Sequence, residues 1–464
     1  MCSPEREQLF GRIAELEKAL AEAQALIRAL KEEVESLKRA GKRQAVPFER
    51  RKRVEKPKKR GRRQGKGEFK NREKPKEEEV NETKRAAICG CPDCGGELVN
   101  LKEHEQYEID IPEVKPNITR YVMVSGSCPQ CNQRHWLYHP DQISTATGAA
   151  GVVIGPRAKA LATDLKHRFG ASFGKVGEVL NDAFQLNVTR SAWYQADQRL
   201  GKQSESVYQE LVQAIRTCSA VHSDETGWRI GTLSAWLWVF TGQKITVYAI
   251  EKSRSHQVVV NILGKEFAGV LVSDCFLAYD HHALKEWLKQ KCLSHLLKDL
   301  KTLNETKTRG AVRFARSLTT LLQDALQLKT RKAHLTEDQF AQQSTELETR
   351  LDQLIDINRR LTDPDNARFA KRLRKHRPHI LRFLYIDGLD PTNNQAERML
   401  RPAVITRKTN GCNRSEEGAK THAILSSLLA TCRQQAVPIL DYLIQLQRFG
   451  ETPPSLTHGL SPPS

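Results

Sequence analysis

The chain has 464 residues, a formal net charge of +19, 39% hydrophobic residues and 11 cysteines. This length exceeds one ordinary domain and can supply two or more buried cores. The positive charge favours a polyanionic partner, with nucleic acid ahead of a membrane. No run of about 18 apolar residues exists, and the start, MCSPEREQLF, lacks the apolar stretch of a signal peptide, so we expect a cytoplasmic protein. In a reducing compartment the cysteines indicate metal binding and argue against a disulfide framework.

Residues 5–40 show a heptad pattern in which apolar residues alternate at steps of four and three. The a positions are mostly β-branched and the d positions are leucine, which favours a parallel two-stranded coiled coil. The a residues are Ile13, Leu20, Ile27 and Val34, and the d residues are Leu9, Leu16, Leu30 and Leu37. We therefore predict a zipper that forms a homodimer. The alternative is an amphipathic helix packed on its own protein.

Residues 41–86 form a basic linker. Between Gly41 and Pro75 there are 16 Lys or Arg and four Glu, a net charge of +12, with few large apolar residues. Such a segment cannot fold alone, and near DNA it adds affinity through counterion release. The Arg60-Gly61-Arg62 step is a weak sign of a minor-groove contact, and a plain solvated linker explains it equally well.

Residues 87–140 contain two C-x-x-C motifs, CPDCGG and CPQC. Their cysteines are Cys91, Cys94, Cys128 and Cys131. Four thiolates in two such pairs suit one tetrahedral Zn²⁺, and strand-like stretches between them (YEIDI and RYVMVSG) could return the chain. We predict a structural zinc site, with Cys89 and His135 as alternate ligands that the two-pair interpretation does not need.

Residues 155–205 are predicted to be helical, with a break at 171–174 and a short turn at 187–189. Two short helices on a tight turn indicate a helix-turn-helix, whose second helix would present Arg190, Trp193 and Gln195 to DNA. The alternative is an ordinary helical pair in a bundle.

From Ala220 the pattern changes to strands. AVHSDET, SAWLWVFTG and ITVYAIE read as three meandering strands, SHQVVVNILG as a helix, and GVLVSD as a fourth strand. This order predicts an RNase H-like core over residues 215–281. Residues 282–390 look wholly helical and form an insertion. Residues 391–450 complete the core with helices at 393–407 and 416–449, and residues 451–464 form a tail.

Two acidic residues lie where predicted strands end, Asp224 after the first and Asp274 after the fourth. In an RNase H-like sheet these strands are neighbours, so we expect both carboxylates at one edge. Two Mg²⁺ (or Mn²⁺) ions about 4 Å apart need such hard oxygen ligands close together. Glu397, in TNNQAERMLRP, is the best candidate for the third ligand. Its alternative is a surface ion pair with the adjacent arginines.

With these motifs in place, the chain resembles a transposase of insertion-sequence family sixty-six, the TnpC type of the Asp-Asp-Glu class. The resemblance rests on CPxCGG…CPxC, on SDETGWR, SDCFLAYD and NNQAERMLRPAVITRK around the three acids, and on RSEEGA. It covers nearly the whole length. It implies a multidomain α+β protein in which a coiled coil, a zinc-binding module and a helical DNA-binding region precede an RNase H-like α/β catalytic core with a helical insertion.

The resemblance also implies metal-dependent DNA cleavage and strand transfer, with the ends of the mobile element and target DNA as partners. Asp224, Asp274 and Glu397 would be the catalytic metal ligands. Phosphates near the scissile bond would be contacted by Arg398, Arg401, Arg407 and Lys408. A prokaryotic, nucleoid-associated location and accessory proteins of the same element follow from the family. Two alternatives stay open: a zinc-containing DNA-binding regulator, and a nuclease of the same fold that does not join DNA.

Three further residues or pairs are ambiguous. Glu225 adjoins Asp224, but neighbours on a strand point to opposite faces, so both cannot face the metals. Asp280 lies six residues beyond Asp274. Cys292 and His295 form a C-x-x-H on a predicted helix and resemble the C/D-x-x-H element of several transposase families. We interpret that pair as a structural or DNA-positioning element, because no second pair of zinc ligands lies nearby in sequence.

Overall fold

The computed structural model describes residues 72–86, 90–142, 151–308, 310–358, 360–448 and 454–457, with positions 12, 15, 16, 18–24, 26, 27 and 30. Most of the predicted zipper, the linker through residue 71, Cys89 and most of the tail lie outside the described residues. Described positions between 12 and 30 are helical and exposed. The chain forms two compact units, Phe48–Pro116 and the combination of Met1–Pro47 with Asn117–Ser464, and we describe each by itself.

The unit Phe48–Pro116 contains a short 3-10 helix, Glu77–Glu79, and the first cysteine pair. The predicted strand at residues 107–111 has no regular secondary structure. The predicted strand at 120–126 is found in part, in the larger unit, as β1 (Val124–Ser127). It pairs antiparallel with β2 (Arg134–Leu137), which the sequence analysis did not predict. The second cysteine pair lies in the connection between these two strands.

Four helices follow, and the first three confirm the predicted helices, break and turn: α1 (Pro156–His167), α2 (Phe173–Phe184), α3 (Arg190–Gln203) and α4 (Glu205–Ile215). Local sequence sets their starts. Pro156 occupies the first position of α1, and the hydroxyls of Ser172 and Thr189 accept hydrogen bonds from backbone N–H groups in the first turns of α2 and α3. Ala162, Val176, Leu180 and Trp193 form the buried core that holds α1 to α3 together.

The larger unit is organised around a five-stranded sheet of order β5-β4-β3-β6-β7. The strands are β3 (Ala220–Ile230), β4 (Leu233–Thr241), β5 (Thr246–Glu251), β6 (Val270–Ser273) and β7 (Leu288–Lys291), with α5 (His256–Leu263) between β5 and β6. Strands β3, β4 and β5 are antiparallel neighbours, whereas β6 runs parallel to β3 and β7 parallel to β6. The predicted meander, helix and fourth strand are confirmed, and the first and fourth strands are adjacent.

Strand β7 corrects the prediction that residues 282–390 are wholly helical. Its residues read LKQK, which carries no apolar alternation, yet Lys289, Gln290 and Lys291 are buried. Gln290 donates to the carbonyl of Ile380 (2.9 Å) and accepts from the N–H of Phe383 (2.9 Å). The strand is therefore stabilised by polar partners that lie about 90 residues further along the chain.

Helices cover both faces of the sheet. After β7 come α6 (Leu293–Thr306), α7 (Ala311–Arg331), α8 (Glu337–Ile355), α9 (Pro364–His376), α10 (Asn394–Asn410), α11 (Glu416–Gln434) and α12 (Ile439–Leu446). The last predicted helix, 416–449, is thus two helices. It breaks because Ala436 adopts φ +56° and Pro438 cannot continue a helix. None of the helices that the structure describes is long and apolar enough to span a bilayer.

Side chains alternate between the two faces, as strand geometry requires. Odd-numbered Val221 and Leu271, with Trp238 and Phe240, pack against α4, α5, α11 and α12. On the opposite face, Val270 and Val272 pack against α6 to α9. Trp228 and Val239 lie on this second face too and pack against α10. The second face therefore carries the even-numbered side chains of β3 and β6.

Helix α11 also closes the free edge of the sheet. The backbone N–H groups of Thr246 and Tyr248 in the edge strand β5 donate to the hydroxyls of Thr431 (3.1 Å) and Ser427 (2.8 Å). Two hydroxyls four residues apart on a helix lie on one face, and strand residues two apart point the same way. An edge that would otherwise expose unpaired donors is satisfied by side chains of the same chain.

A buried polar cluster joins the N-terminal helices to α11. The two Nδ1 atoms of His167 and His422 are 3.1 Å apart, and His167 Nε2 lies 3.0 Å from Asp197. The His422 ring stacks on Trp228. Burial, together with the adjacent His167 and Lys166, holds the pKa of His422 well below its usual 6.5. His422 is therefore neutral in the folded protein.

This burial predicts an acid-sensitive stability. Below about pH 6.5, His422 takes up a proton in the unfolded chain but stays neutral in the folded chain. The free energy of unfolding therefore falls as the pH is lowered. The loss due to this residue approaches about 1.4 kcal/mol per pH unit. We expect urea unfolding between about pH 7.5 and about pH 5.5 to show a smaller acid loss in His422→Gln than in the natural protein. The exposed His282→Gln is the control, and equal acid losses in all three proteins would contradict the prediction.

Candidate active site

Asp224 and Asp274 lie beside each other on adjacent strands. Ala220 to His222 pair in parallel register with Val270 to Val272, which sets Asp224 level with Asp274. Both positions are even-numbered, so both fall on the sheet face that α10 covers. Asp274 directly follows β6, as predicted. Asp224 does not end its strand as predicted, because β3 continues to Ile230 along β4 after its pairing with β6 has stopped.

Glu397 lies on the first turn of α10, with a carboxylate oxygen within 4.8 Å of ligand atoms of Cys292 and His295. Among the described residues, the carboxylates of Asp224, Asp274 and Glu397 do not all lie within that distance of one another. The residue before this helix, Asn393, is fully buried and joins three elements. Its Nδ2 donates to the carbonyl of Ser223 on β3 (2.8 Å), and its backbone N–H donates to Sγ of Cys292 at the start of α6 (3.1 Å). The start of α10 is thus attached one residue from Asp224.

The acidic side chains of the site have too few positively charged side chains nearby to balance their charge. Burial, with a smaller effect of the Glu225 and Asp274 carboxylates, raises the pKa of Asp224 to about 7. His295 lies near enough to lower it. His295 Nε2 is 3.5 Å from Oε1 of Glu397. This arrangement disfavours ionised carboxylates unless a cation joins them.

Two nearby acids have their own cations. On the opposite sheet face, Glu225 accepts hydrogen bonds from Arg254 (2.7 Å) and from the Tyr279 hydroxyl (2.8 Å), so it faces away from Asp224 as expected. Asp280 forms ion pairs with Lys291 and Lys375, each at 2.9 Å. Neither of these carboxylates is available as a metal ligand.

Lys291 is a site residue that the sequence analysis missed. Its side chain is fully buried, and Nζ donates to the backbone carbonyl of Asp274 (2.9 Å) as well as pairing with Asp280. The loop that carries Asp274 is thereby fixed to β7. No apolar pattern marked β7, so no sequence signal identified this lysine.

The two cysteine pairs have the same local geometry. In the first, Cys91 N–H donates to Gly96 O (2.9 Å) and Gly95 N–H to Cys91 O (2.8 Å). In the second, Cys128 N–H donates to Gln133 O (2.9 Å) and Asn132 N–H to Cys128 O (2.9 Å). Gly95 and Asn132 adopt left-handed φ values of +71° and +53°.

The backbone of each turn also favours metal-binding thiolates. Backbone N–H groups of Asp93 and Cys94 lower the pKa of Cys91, and those of Cys131 and Gln130 lower the pKa of Cys128. The thiolate is the form that ligates zinc. Cys91 and Cys94 belong to the unit Phe48–Pro116, and Cys128 and Cys131 to the other unit.

The residues predicted to contact DNA differ in exposure. Arg190, Arg398, Arg401 and Lys408 are exposed. Trp193 is 1% exposed and belongs to the core of α1 to α3, so its prediction as a DNA contact is corrected. Arg407 is half-buried, and its Nη1 donates to the Thr226 hydroxyl (2.8 Å) and to Gly227 O (2.9 Å). This arginine attaches α10 to β3.

Comparison with known proteins gives matches in two regions. Residues 151–421 match the family model described as "Transposase IS66 family", which is more than half of the chain. Residues 89–132 match the "zinc-finger binding domain of transposase IS66". The chain is also similar to an uncharacterized protein, y4qI, of Sinorhizobium fredii (strain NBRC 101917 / NGR234), with 24% identity over 291 residues, 56% of this chain and 53% of the relative. The chain spans about half the length of this curated relative.

The raised pKa of Asp224 predicts that its charge destabilises the metal-free protein. The folded pKa of about 7 exceeds the usual 3.8, so the unfolded chain loses this proton first as the pH rises. Asp224→Asn should therefore raise the free energy of unfolding, by an amount that grows from about pH 4 to about pH 7 and then stays constant, on the order of 4 kcal/mol. Urea unfolding with a chelator present measures this difference.

The matched control for this measurement is Asp280→Asn. Asp280 is also largely buried, but Lys291 and Lys375 stabilise its charge and lower its pKa. Its substitution leaves Lys291 buried without a carboxylate, so the protein should lose stability at neutral pH. A loss of stability at neutral pH in Asp224→Asn, like that expected for Asp280→Asn, would contradict the prediction for Asp224.

Proposed function

The chain belongs to the IS66 family of transposases, and on this basis we propose that it is a metal-dependent transposase that cuts the ends of its element and joins them to target DNA. Family membership makes it a DNA-processing enzyme with a zinc-finger domain. The catalytic chemistry and its residues are our proposal. The observation that carries it is the convergence of Asp224, Asp274 and the start of the Glu397 helix on one sheet face.

We propose that the sheet is an RNase H-like core. Three antiparallel strands followed by a helix and two parallel strands, in the order β5-β4-β3-β6-β7, support this assignment. The core would comprise residues 215–291, which now include β7, and residues 391–450. The helices between them form the insertion, and residues 155–205 form the helical DNA-binding region.

The proposed metal ligands are Asp224, Asp274 and Glu397. The donors fit Mg²⁺ or Mn²⁺, because all are hard oxygens and because the metal-free site holds Asp224 at a pKa of about 7. Two bound ions would activate a water or a DNA 3′-hydroxyl and neutralise the leaving oxygen. Asp224, Asp274 and Glu397 would together hold the ions.

Other residues of the chain position these ligands. Asn393 fixes the start of the Glu397 helix through its bonds to Ser223 and Cys292. Lys291 holds the carbonyl of Asp274. A displacement of about 1 Å at a reacting centre can cost a hundredfold in rate, so these contacts bear on catalysis although neither side chain touches DNA. No covalent enzyme intermediate is required.

DNA contacts are proposed for the exposed basic residues. Arg398, Arg401 and Lys408 project from the helix that carries Glu397, so they would bind phosphates near the scissile bond. Arg190, at the start of α3, would contact the element end. Arg407 would act indirectly, by attaching α10 to β3.

The remaining proposals concern assembly. We propose that Cys91, Cys94, Cys128 and Cys131 hold one structural Zn²⁺, in line with the zinc-finger match that covers residues 89–132. A homodimer through the N-terminal zipper is consistent with exposed Leu16, Leu20, Ile27 and Leu30. Accessory proteins of the same element and a cytoplasmic, nucleoid-associated location complete the proposal.

The three acids predict loss of cleavage without loss of binding. Asp224→Asn, Asp274→Asn and Glu397→Gln should each reduce Mg²⁺-dependent nicking of element-end DNA by at least about a hundredfold, while DNA affinity is retained. Nicking assays and gel shifts measure the two properties. The exposed Glu286→Gln is the control. Retained nicking in Asp224→Asn would refute the assignment.

The same assays separate the alternative functions. A DNA-binding regulator would show no Mg²⁺- or Mn²⁺-dependent nicking by the natural protein. A non-joining nuclease would nick but would give no strand-transfer product when target DNA is added. The proposal requires both products from the natural protein and neither from the three acid variants.

The exposed arginines of α10 predict a change in salt dependence. Each phosphate contact removed should lower the slope of log affinity against log salt by about 1. Arg398→Gln with Arg401→Gln should therefore weaken DNA binding and lower the slope by about 2. Binding across a salt series measures the slope. Lys301→Gln, which removes an exposed lysine paired with Glu305, is the control. An unchanged slope in the double variant would contradict the proposed contacts.

A further inference from the structure

A second group of potential metal ligands shares Glu397 with the proposed catalytic site. Cys292, His295 and Glu397 each offer a ligand atom, and these atoms lie within 4.8 Å of one another. Cys292 precedes α6 and His295 lies three residues later, so both fall on the same side of its first turn. Glu397 is supplied by the first turn of α10.

The Cys292 sulfur lies where the starts of α6 and α10 meet. It is fully buried and accepts a hydrogen bond from the Asn393 N–H at 3.1 Å. It also lies at the N-terminus of a 14-residue helix, whose free N–H groups and dipole stabilise an anion. A buried thiol with these neighbours is predisposed to bind a metal ion.

His295 is the second potential ligand of the group. Its Nδ1 atom is buried without a hydrogen-bond partner, while Nε2 faces Glu397 at 3.5 Å. A ring nitrogen of His295 is therefore available as a metal ligand.

We propose that Cys292, His295 and Glu397 bind a borderline-soft divalent cation, Zn²⁺, and that this ion withdraws Glu397 from the Mg²⁺ site and inhibits the enzyme. Thiolate and imidazole select Zn²⁺, whereas carboxylate oxygens suit Mg²⁺. Three protein ligands with an open fourth position are a common zinc arrangement. Bond lengths of about 2.0–2.3 Å place tetrahedral ligand atoms roughly 3.3–3.8 Å apart, so binding needs a closure of about 1 Å.

The inhibition rests on the proposed function, whereas the metal site does not. The two sites would share Glu397, so a Zn²⁺ ion that draws its carboxylate towards Cys292 and His295 would weaken the Mg²⁺ site. Binding of Zn²⁺ would release any proton that its ligands carry. The site would thus couple cleavage to the supply of free zinc.

Cobalt provides a readout that does not depend on activity. The full chain carrying one equivalent of Zn²⁺ for its zinc-finger domain is titrated with Co²⁺, whose thiolate complexes show a sulfur-to-cobalt charge-transfer band. We expect the natural protein and the control Cys218→Ser to gain this band with one further equivalent. We expect Cys292→Ser to lack the band.

His295→Asn is the second variant and covers the case in which Cys292→Ser does not fold, since His295 is partly exposed. It should weaken Co²⁺ binding by at least about tenfold. Absence of the band from the natural protein, or its retention at full affinity in the folded Cys292 and His295 variants, would overturn the metal site.

The inhibition is measured in the Mg²⁺-dependent nicking assay, with each variant normalised to its own rate without added Zn²⁺. The Zn²⁺ concentration for half-inhibition should rise at least about tenfold in His295→Asn and Cys292→Ser, and should not change in Cys218→Ser. Equal inhibition of all variants would overturn the link to Glu397. Absence of Mg²⁺-dependent nicking from the natural protein would instead contradict the proposed function, so the two failures are distinguishable.

Discussion

The structure of the site depends on one constraint, the negative charge of Asp224 in the interior of the larger unit. Glu225 forms an ion pair with Arg254, and Asp280 forms ion pairs with Lys291 and Lys375. Among the described residues, Asp224 forms no ion pair with a lysine or arginine, and burial raises its pKa to about 7. Because the adjacent acids have cationic partners and Asp224 has none in the described part of the chain, Asp224 is the acid that the proposed function assigns to a metal ion.

The pairing register of β3 and β6 places Asp224 beside Asp274. Because Ala220 pairs with Val270, Asp224 and Asp274 are level, and strand alternation points both towards α10. Asn393 then joins α10 to Ser223, next to Asp224. Strand pairing and side-chain alternation thus place Asp224 beside Asp274, 50 residues apart in sequence, and one amide attaches the helix of Glu397, which lies more than 100 residues from both.

These features explain how much could be predicted from the sequence. Strands β3 to β6 were predicted because their side chains alternate or form short apolar runs, and the acids were found because they follow such runs. Strand β7 was missed because its buried residues are polar and their partners, Asp280, Ile380 and Phe383, lie elsewhere in the chain. A hydrophobic pattern in the sequence indicates buried positions only where the buried side chains are apolar.

The sequence also could not show which helix side chains are exposed to solvent. Trp193 and Arg407 belong to segments that carry exposed basic residues, but a helix shows both a buried and an exposed side, and its period does not say which side meets the core of another element. Trp193 fills the centre of α1 to α3, and Arg407 bonds to β3. The break before Pro438, in contrast, follows from a residue that cannot donate its backbone N–H.

Register also accounts for the place of the C-x-x-H pair. Ser273 pairs with Lys291 in parallel register, so the residue after β7 lies level with the residue after β6. An acid after β6 and a cysteine after β7 are therefore neighbours in any sheet of this order. The helix that begins at Cys292 then turns His295 towards Glu397, which places a soft ligand pair beside a hard carboxylate. The two proposed metal sites share Glu397 because two parallel strands end at the same level.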